Sequence, residues 1–379
     1  MKAYKINEIS HKRILGRNIS GAGESQERLN LFWGASALEV NVKAKEVWIN
    51  VKGCYDQLEI YIVVEINGAQ VTRFLVPQED TWFCIARNLN PQKENLISII
   101  KDTQAMPEDI LHMLCINQIG LDEKGSFCEL APRTMKIEFI GDSLTSGEGL
   151  AGRFDENDWI PQWLCASKTY AIQTAKTLNA DWNVMSLCGW GLCWSYDGNR
   201  NHSIPQHYEK VCGVMKGQKQ QLCGAGNAYD FGKGSDVVVI ALGTNDNSAF
   251  FNNSWIDENG RIYELQRDSE GKACDQTDTE IQTAAINFLT TIRKHNPKAK
   301  IIWMWGLIKL SAVEASLISG IEQYKKQNND NFVSYLITDS MDKIEKNDSE
   351  KGSREHPGPL VHKLAAEKLV SLIKQNLGL

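Results

Sequence analysis

The hydrophobic pattern changes near Ala131-Pro132-Arg133, and this change constrains the fold more than any other feature of the chain. Before it, apolar and polar residues alternate, as they do from Leu38 to Val42. After it, short apolar runs alternate with stretches whose apolar residues recur at helical spacing. The first pattern is typical of antiparallel sheets, and the second of strands joined by helices. The 379 residues are therefore predicted to form two domains, residues 1–130 and 131–379.

Asn67-Gly68 joins two β-rich runs in the first part of the chain, residues 58–66 and 71–76. Asn-Gly between such runs favours a type I′ hairpin, because both residues tolerate the positive φ angles of that turn. Residues 95–101 form another strand-like run, and no long helical period appears before residue 104. We therefore predict an antiparallel, jelly-roll-like β-sandwich in this part.

Strands and helices alternate in the second part. Residues 236–242 are apolar on both faces, as expected at the centre of a parallel sheet. Residues 281–292 carry an apolar stripe at helical spacing. Strand–helix–strand units join parallel strands by right-handed crossovers. Residues 131–379 are therefore predicted to be an α/β domain with three layers and a doubly wound parallel sheet. Residues 196–235 and 248–278 are predicted to be long loops over this sheet.

The charge balance argues against nucleic acid as a partner. Lys and Arg together number 41, Asp and Glu number 47, and the net charge is −6. Proteins that bind nucleic acid without sequence preference need a basic surface to neutralise phosphates. The chain also has no run of about 18 apolar residues, so no membrane span is expected.

The cysteines and the N-terminus predict a cytoplasmic protein. Ten cysteines are present, but a chain of this size needs no disulfide scaffold, and no CxxC motif indicates a metal site. The first residues lack the apolar segment of a secretory signal. We therefore expect free thiols in a reducing compartment.

Three polar residues follow predicted strands or precede the last predicted helix. Ser143 lies in a Gly-Asp-Ser-Leu sequence directly after a strand, and Asn245 lies in Gly-Thr-Asn-Asp after the central strand. His356 begins a His-Pro-Gly sequence before the last helix. Each residue alone is typical of a helix cap, a turn or an exposed side chain. Their order, and their place at the carboxyl ends of the sheet, indicate a serine hydrolase site.

The second part resembles the SGNH (GDSL) hydrolase superfamily in these motifs. The glycine motif of that superfamily is similar to the sequence Ser-Leu-Cys-Gly-Trp-Gly-Leu at residues 186–192. Either Gly189 or Gly191 could supply the backbone N–H of the oxyanion hole. Gly189 is favoured because the donor in that superfamily usually follows a small residue, here Cys188.

The whole chain resembles carbohydrate esterase family 2 of this superfamily. The similar segments are Leu31–Gly34, Lys101–Gln104, Ile137–Ser143 and His356–His362, together with a β-sandwich before the catalytic domain. The resemblance implies a serine esterase that removes O-acetyl groups from hemicellulose-derived sugars, of the acetyl-mannan or acetyl-xylan type. An acetylated oligosaccharide is then the expected substrate.

The resemblance also implies roles for individual residues. Ser143 would attack the acetyl carbonyl, and His356 would accept the serine proton and return it to the sugar alkoxide. The Ser143 N–H, the Gly189 N–H and the Asn245 side chain would form the oxyanion hole. No cofactor or metal is required.

One position departs from the pattern of the superfamily. Many members carry an Asp two or three residues before the catalytic His, where this chain has Arg354 and Ser353. Glu355 or Asp348 could supply the acid instead. We predict a Ser–His dyad in which a backbone carbonyl near Ser353 or Arg354 accepts the Nδ1 proton.

Trp190 and Trp305 are predicted to contact the sugar, because they lie near the ends of predicted strands. For any single Trp the alternative is packing in the core. Two other functions fit the same residues, namely a broad short-chain esterase or acyltransferase and an inactive carbohydrate-binding protein. The sequence does not determine the sugar, the acetylated position or the oligomeric state.

Overall fold

The structure is a computed structural model that describes residues 1–19, 27–252 and 254–379. The strands are β1 (Lys2–Lys5), β2 (Lys12–Leu15), β3 (Leu29–Leu31), β4 (Ala37–Lys43), β5 (Val47–Cys54), β6 (Tyr61–Ile66), β7 (Ala69–Leu75), β8 (Thr81–Ala86), β9 (Asn95–Lys101), β10 (Met113–Leu121), β11 (Ser126–Cys128), β12 (Lys136–Gly141), β13 (Asp181–Ser186), β14 (Val237–Ala241), β15 (Trp255–Ile256), β16 (Ile262–Tyr263), β17 (Lys300–Trp305) and β18 (Val333–Ile337). The helices are α1 (Ser143–Ser146), α2 (Tyr170–Thr177), α3 (Gln218–Leu222), α4 (Thr244–Ser248), α5 (Asp275–His295), α6 (Glu314–Asn328), α7 (Met341–Ile344) and α8 (Pro359–Leu377).

The chain forms two compact units. The sandwich unit comprises Met1–Thr134, Asp158–Ser167 and Glu209–Tyr229, and the parallel-sheet unit comprises Met135–Asn157, Lys168–Tyr208 and Asp230–Leu379. Two segments from the second part of the chain thus pack with the first part. The predicted boundary near residue 131 lies close to one of the points where the chain passes between the units, but a single cut there does not separate them.

The sandwich unit contains two antiparallel sheets. The strand order is β1-β10-β5-β8 in one and β11-β4-β9-β6-β7 in the other, and β3 and β2 pair with β10 and β4. Alternate residues of both sheets, including Val40, Ile49, Val64, Ile97 and Ile116, belong to one buried hydrophobic cluster. Burying such a face is what stabilises two sheets against each other. The predicted antiparallel strands are therefore present, while the jelly-roll-like connectivity stays a prediction.

The hairpin expected at Asn67-Gly68 joins β6 and β7. Ile66 pairs with Ala69 across the turn. Asn67 has φ 53° and Gly68 has φ 83°. Two central residues with positive φ define a type I′ turn, whose twist matches that of the flanking strands. The local sequence prediction is confirmed here.

The parallel-sheet unit has the strand order β13-β12-β14-β17-β18, with every pair parallel. In chain order this is 2-1-3-4-5, so the direction of winding reverses between β12 and β14. Ligands of open α/β sheets bind in the crevice at this point, beyond the carboxyl ends of the strands. Ser143 follows β12 and Asn245 follows β14, so the topology directs both towards the same crevice.

Helices cover both faces of this sheet. Phe139 of β12 contacts Tyr170 of α2, with ring centroids 6.3 Å apart. Trp303 of β17 contacts Phe288 of α5 at 6.5 Å. Phe139 pairs with Val239, and Trp303 pairs with the next residue of that strand, Ile240. Successive residues of a strand point to opposite faces, so the two rings lie on opposite faces of the sheet. This arrangement gives the predicted three layers.

The two predicted long loops are more structured than expected. Residues 209–229 pack in the sandwich unit and include α3, while residues 255–263 form the β15–β16 hairpin. The sequence of these segments is typical of loops, because it is rich in glycine and polar residues. Short elements of this kind also lack a clear hydrophobic period. Among the described residues, no helix has the length and apolar character needed to cross a membrane.

Candidate active site

Ser143 lies in a tight turn at the end of β12. It is the first residue of α1, and Asp142 caps this helix by accepting a hydrogen bond from the Leu144 N–H at 3.0 Å. A Cβ at Gly141 would collide with the Thr145 hydroxyl, so this turn requires glycine. Burial raises the pKa of Asp142 to about 7. In the sequence Gly-Asp-Ser, the glycine thus allows close packing against Thr145, the aspartate caps the helix, and the serine provides a positioned hydroxyl.

His356 lies within hydrogen-bond distance of Ser143. Its Nε2 is 3.0 Å from Ser143 Oγ, and its Nδ1 is 2.8 Å from the carbonyl oxygen of Arg354. Because a carbonyl only accepts, Nδ1 carries the proton and Nε2 can accept the serine proton. The sequence predicts that the carbonyl of Ser353 or Arg354 holds Nδ1, and in the structure it is the Arg354 carbonyl.

Neither acid considered for His356 is in contact with it. Glu355 is exposed, and Asp348 Oδ1 pairs with Lys351 Nζ at 3.0 Å. Arg354 and Glu355 both have positive φ, 54° and 57°. This backbone turns the Arg354 carbonyl back towards the imidazole. Left-handed conformations cost about 1–2 kcal/mol in non-glycine residues, so other contacts must hold this loop in place.

Glu148 is a residue of the site that sequence reasoning missed. It is buried, and its Oε2 lies 3.6 Å from His356 Nε2 while its Oε1 accepts a hydrogen bond from Arg354 Nε at 3.0 Å. No motif in the sequence indicates a role for it. The signal that could have found it is a charged residue five positions after the nucleophile, combined with an opposite charge two positions before the His.

Two backbone N–H groups are available for an oxyanion. Within the described part of the chain, the N–H groups of Ser143 and Gly189 donate to no protein acceptor. The N–H of Gly191, the alternative donor, is directed at the His202 carbonyl at 3.4 Å. Gly189 has φ 77°, a conformation that suits glycine. These contacts favour Gly189 over Gly191.

Asn245 and Asp246 join the loop after β14 to the loop after β13. Asn245 Nδ2 donates to the Trp190 carbonyl at 2.8 Å, which leaves one of its two amide hydrogens for another acceptor. Asp246 accepts hydrogen bonds from the N–H groups of Leu192 and Cys193 at 2.8 and 2.7 Å. Burial raises the pKa of Asp246, which these backbone N–H groups oppose. The two loops therefore hold each other in register.

No metal centre is evident in the described ranges, which contain no cluster of three His, Cys, Asp or Glu side chains with suitable geometry. The site is suited to nucleophilic chemistry. Ser143 Oγ adjoins an imidazole with a defined tautomer, and in the described part of the chain the Ser143 and Gly189 N–H groups have no protein acceptor.

Solved structures with a similar fold include two esterases. An acetyl xylan esterase from the rumen bacterium Butyrivibrio proteoclasticus is 34% identical to this chain, with TM-score 0.92 and coverage of 100% of both chains. A family two carbohydrate esterase from Clostridium thermocellum, solved in complex with cellohexaose, is 24% identical, with TM-score 0.77 and coverage of 97% and 99%. The chain belongs to carbohydrate esterase family 2. This is a family of carboxylic ester hydrolases.

A curated relative of this family 2 chain is an acetylxylan esterase / glucomannan deacetylase from Cellvibrio japonicus. It is 27% identical over 202 residues, which are 53% of this chain and 47% of the relative. The chain spans 47% of the length of this relative and 37% of the length of another curated relative, the cellulase/esterase CelE from Acetivibrio thermocellus. No family model matches the chain.

The two tryptophans predicted to bind sugar are buried in this family 2 structure. Trp190 is 7% exposed and its ring stacks on His202, with centroids 4.6 Å apart. Trp305 is 4% exposed, and its Nε1 donates to Glu314 at 2.8 Å. Core packing therefore accounts for both rings, and a direct role as sugar platforms is not supported. Trp190 belongs to the site through its carbonyl, which holds Asn245.

Tyr196 is the exposed aromatic residue that sequence reasoning missed at this site. It is 54% exposed. A Cβ at Gly189 would lie 3.1 Å from its ring, so the ring adjoins the candidate oxyanion hole. An exposed aromatic ring beside Gly189 offers an apolar surface to a ligand. The sequence does not distinguish this Tyr from the nearby tryptophans, because exposure depends on the fold.

Proposed function

We propose that this chain removes O-acetyl groups from hemicellulose-derived sugars or oligosaccharides, of the acetyl-xylan or acetyl-mannan type, through an acetyl-enzyme. The observation that supports this most directly is the 3.0 Å contact between Ser143 Oγ and His356 Nε2, with Nδ1 held by a carbonyl. A hydroxyl is a weak nucleophile at neutral pH, and a neighbouring imidazole with a free Nε2 removes this limitation.

The reaction then proceeds in two acyl-transfer steps. Ser143 Oγ attacks the acetyl carbonyl while His356 Nε2 accepts the serine proton. The N–H groups of Ser143 and Gly189 and the remaining amide hydrogen of Asn245 stabilise the oxyanion. His356 protonates the departing sugar oxygen, which leaves an acetyl ester on Ser143. Water then attacks this ester with His356 again as the base, the bond between the acetyl carbon and Ser143 Oγ breaks to release acetate, and His356 returns the proton to Ser143 Oγ.

A carbohydrate substrate is supported by the relatives and by Tyr196. One similar protein is named an acetyl xylan esterase and another an acetylxylan esterase / glucomannan deacetylase. Tyr196 offers an exposed ring close to Gly189, where a sugar attached to the acetyl group would lie. The substrate class proposed for this chain is therefore an acetylated oligosaccharide.

The test is acetate release from defined mono-acetylated xylose and mannose oligomers and from p-nitrophenyl acetate. We expect turnover by the wild type and a loss of at least about 10³-fold in kcat for Ser143→Ala and His356→Ala. Ser316→Ala, a buried serine of α6, is the matched control and should stay active.

Each other outcome has a defined meaning. Equal background rates for wild type and Ser143→Ala would exclude an esterase and favour the carbohydrate-binding protein. Rapid hydrolysis of the nitrophenyl ester without preference for acetylated sugars would favour a broad esterase or acyltransferase. The cytoplasmic location stays a proposal, to be tested by cell fractionation.

A further inference from the structure

We propose that the Glu148 carboxylate supplies the negative charge beside His356, and that Arg354 holds this carboxylate in place. The inference rests on the proposed function. Glu148 Oε2 lies 3.6 Å from His356 Nε2, the atom that receives the serine proton, and Glu148 Oε1 accepts from Arg354 Nε at 3.0 Å. Glu148 is a positioning residue in this scheme, because it acts on the reaction through the imidazole.

The need for this charge follows from the contact at Nδ1. The Arg354 carbonyl fixes the tautomer of His356, but a carbonyl is neutral and stabilises an imidazolium less than a carboxylate does. When Nε2 takes the proton from Ser143, the ring becomes positively charged. A carboxylate at 3.6 Å in a largely buried site stabilises that charge, because little water screens the interaction.

Arg354 connects the two halves of this arrangement. Its carbonyl binds Nδ1 and its guanidinium binds Glu148, so one residue orients the ring on one side and holds the carboxylate on the other. Its Nη1 also donates to the Asn157 carbonyl at 2.9 Å, and its N–H donates to the Glu156 carbonyl at 3.1 Å. Arg354 occupies a position where many members of the superfamily carry Asp, so the carboxylate comes from another part of the chain.

The other titratable groups near these residues do not replace this charge. Burial raises the pKa of Cys188, and Glu148 raises it further, so this thiol is neutral. Burial and the charge of His356 lower the pKa of His362 to about 3, so this ring is neutral near pH 7. Asp142 holds the turn before Ser143, where its Oδ1 accepts from the Leu144 N–H.

The decisive variant is Glu148→Gln, which keeps a hydrogen-bond acceptor for Arg354 and removes the charge. We expect kcat to fall about 10²-fold with KM changed less than about threefold. The acidic limb of the pH profile of kcat/KM should move to lower pH, because an imidazolium without its carboxylate loses its proton more readily. Glu148→Asp should recover part of the activity. Glu138→Gln, a buried carboxylate of β12, is the matched control.

A second measurement does not depend on turnover. In the Ser143→Ala background, the pKa of His356 measured by NMR titration should be lower in Glu148→Gln than in the parent. An unchanged NMR pKa or an unchanged acidic limb would overturn the proposal, even with reduced kcat, because a structural brace alone moves neither. Absence of any Ser143-dependent turnover in the wild type would overturn the proposed function instead, which the Ser143→Ala comparison reveals separately.

A separate group of contacts in the sandwich unit carries a second inference. Cys54 Sγ lies 3.9 Å from Cys115 Sγ, and Lys219 Nζ lies 3.8 Å from Cys54 Sγ. We infer that these two thiols are a redox-active pair that closes to a disulfide when a peroxide oxidises it. Cys54 pairs with Met113 on the neighbouring strand, and Cys115 pairs with Lys52. The two cysteines are therefore diagonal neighbours on one face of the sheet.

The surroundings give the two thiols different roles. The hydrogen bond with Cys115 lowers the pKa of Cys54 to about 6, with further lowering from Lys219, Lys52 and Arg28. The same hydrogen bond and burial raise the pKa of Cys115. Cys54 as thiolate attacks the peroxide oxygen, which forms a sulfenic acid and, with one proton, water. The Cys115 thiol then attacks this sulfur, which forms the disulfide and releases a second water.

Peptide mapping after hydrogen peroxide treatment of the intact protein tests this pair. We expect a Cys54–Cys115 cross-linked peptide in the wild type that is absent from Cys54→Ser and Cys115→Ser. Lys219→Met should slow iodoacetamide alkylation of Cys54 about tenfold at pH 7, because the thiolate loses its cation. If Cys54 and Cys115 are recovered only as separately alkylated or over-oxidised peptides, the pair does not close and the inference is wrong.

Discussion

In the proposed mechanism, the Asn245 side chain serves both structure and chemistry. One amide hydrogen is directed to the Trp190 carbonyl at 2.8 Å, so the orientation of the amide is set before substrate binds. We propose that the other hydrogen binds the oxyanion. A donor that is already oriented stabilises developing charge without a reorganisation cost during the reaction.

Asn245→Ala should lower kcat about 10²–10³-fold, the usual effect of losing one oxyanion donor. KM should change much less, because the donor binds the oxyanion more strongly than the acetyl ester. Steady-state kinetics on an acetylated oligosaccharide measure both values, and circular dichroism checks folding. A fall of less than about fivefold in kcat would exclude Asn245 from the oxyanion hole.

At the scale of elements, the loop that carries His356 packs against the turn that follows α1. Gly149 has φ 76°, and a Cβ at this position would collide with the Ser353 carbonyl oxygen. The Ser353 N–H also donates to the Gly149 carbonyl at 3.0 Å. The glycine thus allows two backbone segments to approach closely, and their contact brings His356 to Ser143.

Gly149→Ala should lower the free energy of unfolding by about 2–4 kcal/mol, from a left-handed alanine and from overpacking. Activity should fall strongly in the folded fraction, because the His356 loop must move. Gly68→Ala is the control, because Gly68 also has positive φ but no atom lies within 4 Å of its would-be Cβ. It should cost only about 1–2 kcal/mol. Equal losses of unfolding free energy in the two variants, measured by urea denaturation, would contradict the packing argument.

The contact between α2 and α8 has a pH dependence of its own. His362 of α8 accepts the Tyr170 N–H of α2 through Nδ1 at 3.2 Å, and its Nε2 is buried with no protein partner in the described residues. Burial, with the charge of His356, lowers the pKa of His362 to about 3, from an ordinary value of 6.5. The folded state therefore resists protonation that the unfolded state accepts.

We expect His362 to destabilise the fold progressively as pH falls from about 6.5 towards 3. Between these values the unfolded state binds more protons, so stability falls by up to about 1.4 kcal/mol per pH unit from this group. Asp142 has the opposite sign, because its pKa is raised to about 7. The comparison of wild type with His362→Asn in urea at pH 7 and pH 4 isolates His362. The wild type should lose about 2–3 kcal/mol more than the variant, and parallel losses would contradict the assignment.

At the scale of the whole molecule, the sandwich unit includes segments that lie far along the chain. Arg73 Nη2 donates to the Leu164 carbonyl at 2.7 Å, and Trp33 Nε1 donates to the Val211 carbonyl at 2.7 Å. Leu164 and Val211 are each 1% exposed. The first part of the chain therefore provides the core into which both later segments fold.

Residues 131–379 expressed alone should consequently fail to reach a stable fold. Removal of the first part exposes the apolar side chains of residues 158–167 and 209–229 and leaves their backbone groups without partners. Urea denaturation followed by circular dichroism should show a broad transition of low cooperativity, in contrast with the full chain. A sharp transition at the midpoint of the full chain would show that the two segments are dispensable.

The sequence predicts those parts of the molecule in which local pattern and final structure agree. The alternation around Val40, the turn at Asn67-Gly68 and the apolar strand at residues 236–242 all appear in the structure. The same holds for the meeting of Ser143 with His356, which the order of motifs along a parallel sheet implies. These features depend on backbone preferences and topology, which a local pattern carries.

The residues that the sequence does not reveal depend on contacts between distant positions. Glu148 acquires its place only because Arg354, 206 positions later, meets it, and the burial of Trp190 depends on its stack with His202. The exposure of Tyr196 likewise depends on which aromatic rings are buried in the core when the whole chain packs. Local sequence pattern therefore suffices for the sheets, the turn at Asn67-Gly68 and the pairing of Ser143 with His356. The carbonyl, the carboxylate and the aromatic ring near this pair become evident in the folded molecule alone, because burial and long-range contacts are set by packing of the whole chain.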